Sequence, residues 1–144
     1  MKKDITYFEM IYSDIPNVLK LWSLSEGVFL HTNGEDSEEG IALYLERNPG
    51  FSYIAKNNEN KIIGAVLSGH DGRRGLIHHL AVDEKYRKNG IANKLMSLSI
   101  EKLKREKIKK VLLFVLNNNI EAIKFYDYNN WIQEETVGLY SKIL

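Results

Sequence analysis

The sequence predicts an α+β fold, with residues 1–144 forming a single domain. Ile15, Val18, Leu19 and Trp22 recur at helical spacing and give one apolar helix face. Residues 52–82 are rich in β-branched residues and contain an Asp-Gly pair that favours a tight hairpin. Residues 110–116 are nearly continuous in apolar side chains, which is typical of a strand buried on both faces.

The elements follow in order from these signals. Predicted strands are short β-branched or aromatic runs bounded by turn residues, and they span 5–11, 52–56, 61–69, 76–82, 110–116, 131–135 and 137–143. Predicted helices begin at Ser13-Asp14, at an Asp36-x-x-Glu39 capping box, at a first turn that carries Arg87, Lys88, Asn89 and Gly90, and at Asn119. The basic stretch 101–110 is expected to be a solvated helix end and turn.

Composition excludes several functional classes. The 20 basic and 19 acidic residues give a net charge of +1, which argues against a nucleic-acid binder. The absence of cysteine excludes disulfides, thiolate metal sites and a cysteine nucleophile. No pair of histidines has metal-ligand spacing on a helix. The N-terminus lacks the apolar core of a signal peptide, and no apolar run has membrane-spanning length. We therefore expect a cytoplasmic protein without metal, membrane or nucleic-acid partners.

The segment from Leu80 to Met96 has the features of an anion-binding turn. An apolar strand end is followed by Arg87, Lys88, Asn89 and Gly90, which open a helix. A glycine there lets a ligand approach the backbone, and the free N–H groups of the helix start favour an anion. The pattern predicts a pyrophosphate site. The alternative is an ordinary strand–helix junction with a solvated basic turn.

Two motifs carry a family resemblance. Arg87-x-x-Gly90-x-Ala92, preceded by Leu-Ala-Val, resembles the acyl-CoA signature of the GNAT superfamily of N-acetyltransferases. Val115-x-x-x-Asn119-x-x-Ala122-x-x-x-Tyr126 resembles the second signature of the same superfamily. The resemblance implies a GNAT fold: a mixed, mostly antiparallel sheet of about seven strands with about four helices, splayed between strands four and five. One departure is Asn130, where the family commonly has glycine; asparagine tolerates the left-handed conformation.

The resemblance also implies acetyl-CoA as co-substrate, with no metal. Its pantetheine arm would pair with the main chain of Leu80, Ala81 and Val82. The remaining cofactor-binding residues that it implies are Arg87, Lys88, Asn89, Gly90, Ile91, Ala92, Asn119 and Tyr126. For Asn119 the plainer interpretation is a helix cap. We expect it to cap the helix and also to face the cofactor.

Acyl transfer to an amine requires a base for the amine and an acid for the leaving thiolate. Tyr126 is the candidate acid, because a phenol titrates near 10, close to a thiol; the alternative is a core tyrosine. His79 is the candidate base. Strand alternation places it on one face with Ile77 and Ala81, and places His78 on the other. A purely structural histidine is an equally open interpretation, and Glu26 is a third candidate base.

The acceptor is less well determined. The substrate-binding candidates are Glu26, Phe29, His31, Arg73 and Arg74. The two arginines either hold an anionic acceptor or form a solvated hairpin tip. Ribosomal-protein N-terminal acetyltransferases resemble this chain, but commonly have a glutamate where Phe114 stands. The hairpin from His70 to Gly75 resembles a little-characterised bacterial subgroup that carries no known substrate.

The sequence therefore predicts an acetyl-CoA-dependent N-acetyltransferase. It would transfer the acetyl group to a primary amine of a small molecule or peptide by direct attack in a ternary complex. The alternatives are a protein N-terminal or lysine acetyltransferase, and a non-catalytic acyl-CoA-binding or regulatory module. Whether the chain forms a homodimer is left open.

Overall fold

The computed structural model describes residues 4–144. The chain divides into two compact units, Met1–Phe114 and Val115–Leu144. The first unit contains the sheet and three α-helices, and the second contains a fourth α-helix. No helix in residues 4–144 combines the length and apolar character needed to cross a membrane.

The first unit is built on a sheet with the order β1-β2-β3-β4-β5. Its strands are β1 (Thr6–Glu9), β2 (Tyr53–Lys56), β3 (Ile62–His70), β4 (Gly75–Val82) and β5 (Val111–Leu113). The first four are antiparallel neighbours, and β5 runs parallel to β4. Short turns suffice between β2, β3 and β4, whereas the parallel pair needs a helical crossover.

The four α-helices are α1 (Ile15–Ser23), α2 (Glu38–Arg47), α3 (Ile91–Arg105) and α4 (Ile120–Tyr128). A Cβ atom added at Gly64 would meet Ile91 and Leu95 of α3, whereas one added at Gly69 would meet Tyr44 of α2. Because these glycines lie on opposite faces of β3, α3 and α2 cover opposite faces of the sheet. Trp22 of α1 and Ile41 of α2 share one buried apolar cluster with β3.

The predicted fold class is confirmed: residues 4–144 form a mixed, mostly antiparallel sheet and four α-helices. The strand count differs, because residues 4–144 contain five strands rather than about seven. The predicted strands at 131–135 and 137–143 have no regular structure. Most of their apolar side chains are exposed, among them Ile132 and Tyr140, whereas Trp131 is half-buried. The strand propensity of a residue type reflects how its side chain packs against neighbouring strands. Residues with high propensity therefore do not form a strand where such neighbours are missing.

The fifth strand is shorter than the apolar run predicted. It spans Val111–Leu113 instead of 110–116, and its side chains are half-buried. Phe114 and Leu116 are exposed. The prediction of a strand buried on both faces is therefore wrong for this segment, since one continuous apolar run does not specify how many neighbours it has.

The start of α2 also differs from the prediction. The N-cap is Ser37, whose hydroxyl accepts a hydrogen bond from the Gly40 N–H at 3.0 Å. Asp36, the predicted cap, is buried and bonded elsewhere. Asp36 and Ser37 are both residue types that cap helices. Because the Asp36 side chain bonds His79, Ser37 caps α2 instead.

A β-bulge interrupts the alternation of β4. Leu67 pairs with His79, but the next residue, Ser68, pairs with Ile77, so His78 is an extra residue in β4. Directly paired residues share a sheet face. His79 therefore lies on the face of Leu67, whereas Ile77 lies on the opposite face with Ser68. The expectation that Ile77 and His79 share a face is wrong.

Candidate active site

The edge of β4 that faces β5 is paired over only part of its length. The β4–β5 register runs from Gly75–Val111 to Ile77–Leu113. Beyond Ile77, residues 78–82 have no strand partner on this edge among the described residues. The splay between the fourth and fifth strands is thus present in the first unit. An extended ligand can pair there with main-chain groups of residues 80–82 that point to this edge, apart from the Val82 carbonyl, which accepts the Arg87 Nε–H.

The turn after β4 ends at Gly90, which is the N-cap of α3. Gly90 has a φ of +75° and a left-handed conformation, and no side chain caps the helix start. A Cβ atom added at Gly90 would meet no atom within 4 Å. The first turn of α3 contains no acidic residue. An uncapped helix start with open space and without a competing carboxylate suits a phosphate-type anion.

The residues before Gly90 shape this turn. The Asn89 side chain donates to the carbonyl oxygens of Tyr86 and Arg87, at 2.9 and 3.1 Å. Arg87 Nε donates to the Val82 carbonyl at 3.4 Å, which ties the turn to the end of β4. Lys88 has a φ of +64°, a conformation that few residues other than glycine adopt. Asn89 therefore holds the turn through its side chain, while Arg87 and Lys88 add positive charge.

His79 is paired with a carboxylate. Its Nε2 lies 2.8 Å from Asp36 Oδ1, and the two side chains are only 14% and 4% exposed. The other carboxylate oxygen of Asp36 accepts the His31 N–H at 2.9 Å. Trp22, which is fully buried, packs against the His79 ring at 5.0 Å between centroids. Asp36 thus joins the segment between α1 and α2 to the middle of β4.

His78 has different neighbours on the same face. Its ring lies edge-on to Tyr44 of α2, with centroids 5.1 Å apart. Partial burial of the ring, followed by the nearby His79, lowers the pKa of His78 below its ordinary value. Burial likewise raises the pKa of Tyr44 to about 12. His78 as a residue is solvent-exposed, while its ring is partly covered by Tyr44, and the imidazole is neutral at neutral pH.

The second unit contains Asn119 and Tyr126. Asn119 is the N-cap of α4, and its side chain accepts the Ala122 N–H at 3.1 Å, so the predicted cap is confirmed. Tyr126 packs edge-on against Phe125 and Trp131. Burial raises its pKa to about 12. This widens the gap to the pKa of a thiol, which is about 8.5, so the phenol stays protonated and is able to donate a hydrogen bond.

The acceptor candidates lie in two separate places in the first unit. Phe29 and His31, between α1 and α2, form an edge-on ring pair at 5.0 Å; Glu26 is exposed in the same segment. Arg73 and Arg74 are in the β3–β4 hairpin, whose tip is built on Asp71. The Asp71 carboxylate accepts hydrogen bonds from the backbone N–H groups of Arg73 and Arg74, each at 2.8 Å. These bonds lower the pKa of Asp71 and explain the tight turn.

Sequence reasoning missed Asp36 and Tyr44 as residues of this site. The sequence pattern assigns Asp36 to a local capping box. The sequence did contain one indication. Asp36 and Ser37 both favour the N-cap position, which only one of them can occupy, so the other side chain can bond elsewhere. Among the described residues, no group of three or more His, Cys, Asp or Glu side chains is arranged to hold a metal ion.

Comparisons with known proteins identify the family of the chain. The family model for the acetyltransferase (GNAT) family matches residues 16–129. An acetyltransferase of Yersinia pestis is 30% identical over 131 residues, covering 91% of this chain and 90% of its own.

Two solved structures are also similar. The crystal structure of the NatC complex bound to Gag peptide and CoA has a matching chain with a TM-score of 0.77 and 26% identity, covering 92% of this chain and 87% of its own. The PaiA N-acetyltransferase of Thermoplasma acidophilum in complex with coenzyme A has a TM-score of 0.80 and 17% identity, covering 94% of both chains.

The family model spans well over half of the chain, and the bacterial relative matches nearly end to end. The chain therefore belongs to the acetyltransferase (GNAT) family and is an acyltransferase.

Proposed function

We propose that the chain transfers the acetyl group of acetyl-CoA to a primary amine, by direct attack in a ternary complex. The observation that carries this proposal is the continuity between the β4 edge beyond Ile77 and the uncapped α3 start at Gly90. The edge suits the amide-containing pantetheine arm, and the helix start suits the pyrophosphate. Residues of the two family motifs lie in both compact units, so we propose that residues 1–144 act as one functional domain.

The chemistry assigns a role to each side chain. The neutral amine attacks the thioester carbonyl, so that a C–N bond forms and the C–S bond breaks. His79 is the proposed base that accepts the proton lost by the amine nitrogen. Tyr126 is the proposed donor that stabilises the departing CoA thiolate through a hydrogen bond, and the thiolate takes a proton from solvent to leave as the free thiol. The raised pKa of Tyr126 supports donation from the protonated phenol.

Two acceptor classes fall within this proposal. A peptide amine is supported by the likeness to the NatC chain, whose structure contains a Gag peptide and CoA. Phe114, where related N-terminal acetyltransferases commonly have glutamate, favours a small-molecule amine instead. The exposed Phe29 ring offers an apolar contact to either class.

The experiment is release of free thiol from acetyl-CoA in the presence of a panel of amines, peptides and aminoglycosides, with calorimetric titration of CoA alongside. We expect CoA binding, and thiol release that depends on at least one primary amine. Absence of CoA binding would contradict the proposed cofactor site. Binding without release across the whole panel would contradict the proposed acceptor class.

A further inference from the structure

The Asp36–His79 pair extends the proposed function, and the following inference rests on that function. We infer that Asp36 is a positioning residue that holds His79 with its proton on Nε2, so that Nδ1 is the nitrogen that accepts the amine proton. Asp36 itself does not contact the reacting atoms in this scheme. It acts only through the imidazole.

The hydrogen bond fixes the tautomer. An ionised carboxylate only accepts hydrogen bonds, so the 2.8 Å contact between Asp36 Oδ1 and His79 Nε2 requires a proton on Nε2. In a neutral imidazole the lone pair then lies on Nδ1. No hydrogen bond of Nδ1 occurs among the described residues. The basic nitrogen is therefore Nδ1.

The surroundings hold this geometry in place. The Asp36 side chain is 4% exposed, and its second oxygen is fixed by the His31 N–H. Trp22 packs on the imidazole from α1. A ring held between a buried carboxylate and a buried indole has few alternative rotamers. Its remaining 14% exposure gives the ring its access to a substrate.

The same contact stabilises the product of proton transfer. When Nδ1 accepts the amine proton, the ring becomes an imidazolium with donors on both nitrogens. Its positive charge then lies beside the Asp36 carboxylate, in a site where charge interactions are stronger than in water. The proton leaves to solvent after the amide forms, which returns His79 to its neutral state. His78, lacking such a carboxylate contact in the described structure, does not have this stabilisation.

The first test is nitrogen-15 NMR of the histidine rings in the full-length protein, with the His79 signals assigned by their loss in His79→Gln. We expect neutral His79 in the parent to carry its proton on Nε2. In Asp36→Asn the amide can donate to Nε2, so we expect the Nδ1–H form to increase. A parent ring protonated on Nδ1 would overturn the inference without any variant having to fold.

The second test is a double-mutant cycle with the acceptor identified from the amine panel. Asp36→Asn should lower kcat by about 10²-fold, within the range for losing a positioned base, and leave the KM for acetyl-CoA unchanged. Asp36→Asn combined with His79→Gln should be no slower than His79→Gln alone, because both changes act through one ring. Additive losses would contradict the inference and leave Asp36 as a structural residue of the loop.

Glu35→Gln is the matched control, since it removes the neighbouring exposed carboxylate and retains the Asp36–His79 bond. We expect parent-like kcat in this variant; a loss equal to that of Asp36→Asn would attribute the effect to loop charge. Failure of the proposed function can be distinguished from failure of the inferred role of Asp36. A parent that does not bind acetyl-CoA overturns that function, whereas a parent that turns over with His79 protonated on Nδ1 overturns only the role of Asp36.

Discussion

The imidazole rings of His78 and His79 lie on the same face of β4, with centroids 6.5 Å apart. Consecutive strand residues normally point to opposite faces. Here His78 is the extra residue of a bulge, and its ring reaches Tyr44 while His79 reaches Asp36. The bulge therefore brings two histidines to one surface and gives them different partners.

These partners predict different effects of substitution on turnover. We expect His79→Gln to lower kcat by about 10²–10⁴, the range for loss of a positioned general base. His78→Gln should retain kcat within a few-fold, because His78 packs on Tyr44 and has no carboxylate contact in the described structure. Steady-state kinetics with a fixed acceptor measures both. The reverse ranking would make His78 the base.

His78 also predicts how stability depends on pH. Its folded-state pKa lies below the ordinary 6.5, first because of partial burial and then because of His79, while Asp36 and Glu35 act in the opposite direction. The unfolded chain therefore binds the proton more readily. The contribution of His78 is fully present above about pH 6.5 and is lost as the pH falls through the folded pKa.

We accordingly expect the free energy of unfolding to decrease below about pH 6.5, and His78→Gln to reduce that slope. Urea unfolding of both proteins on either side of this pH makes the comparison. Identical slopes in parent and variant would show that His78 does not contribute.

The open space at Gly90 predicts that a larger side chain there weakens CoA binding. Gly90→Val should weaken CoA binding strongly, because the side chain would occupy the open space at the α3 start. The φ of +75° adds a backbone strain of about 1–2 kcal/mol. Gly72→Val is a matched control, because Gly72 has a φ of +94° and equally open surroundings at a hairpin tip.

Calorimetric titration and urea unfolding together separate the two effects. Both variants should lose similar stability, and only Gly90→Val should lose CoA affinity. Unchanged affinity in a folded Gly90→Val protein would remove the proposed pyrophosphate site. Equal losses of affinity in both variants would attribute the effect to strain alone.

The start of α2 gives a prediction about stability. Ser37→Ala removes the hydroxyl that accepts the Gly40 N–H and should cost about 1 kcal/mol. Ser97→Ala makes the same chemical change at an exposed position inside α3 and should be nearly neutral, since alanine has the higher helix propensity. Denaturant unfolding of both variants measures the difference. A neutral Ser37→Ala would mean that Ser37 does not cap α2.

Much of the fold was predictable because its signals are local. Helical spacing located α1, and the Asp71-Gly72 pair located the β3–β4 hairpin. The segment after Trp131 was not predictable in the same way. Its β-branched and aromatic residues favour strands, but a strand needs a partner as well as a propensity.

In the candidate site, too, local features were predictable from the sequence and features that depend on distant residues were not. The Asn119 cap depends on nearby backbone and was predicted correctly. The expectation that Arg87 to Gly90 form the first turn of the next helix is wrong, because α3 begins at Ile91 and Gly90 is its N-cap in a left-handed conformation. Asp36 was misassigned because its partner His79 is 43 residues away. The bulge at His78 likewise depends on pairing with β3, which no single-strand pattern contains. The bacterial subgroup and the cytoplasmic location stay predictions.

The last prediction concerns Tyr126. Its phenol, with a pKa raised to about 12 by burial, is protonated at every working pH. Full proton transfer to a thiolate whose acid titrates near 8.5 would be uphill, so we expect a hydrogen bond that strengthens as charge develops on sulfur. Tyr126→Phe removes that donor and retains the ring that packs against Phe125 and Trp131.

We expect Tyr126→Phe to lower kcat by about 10²–10³, the range for losing one hydrogen-bond donor to developing charge, while CoA affinity stays within a few-fold. Tyr128→Phe is the matched control, because Tyr128 belongs to the same helix and is 84% exposed. It should turn over at the parent rate. Single-turnover kinetics at saturating acetyl-CoA isolates the chemical step. If Tyr126→Phe transfers acetyl at the parent rate while binding CoA normally, the phenol has no role in the reaction and Tyr126 serves only the packing of α4.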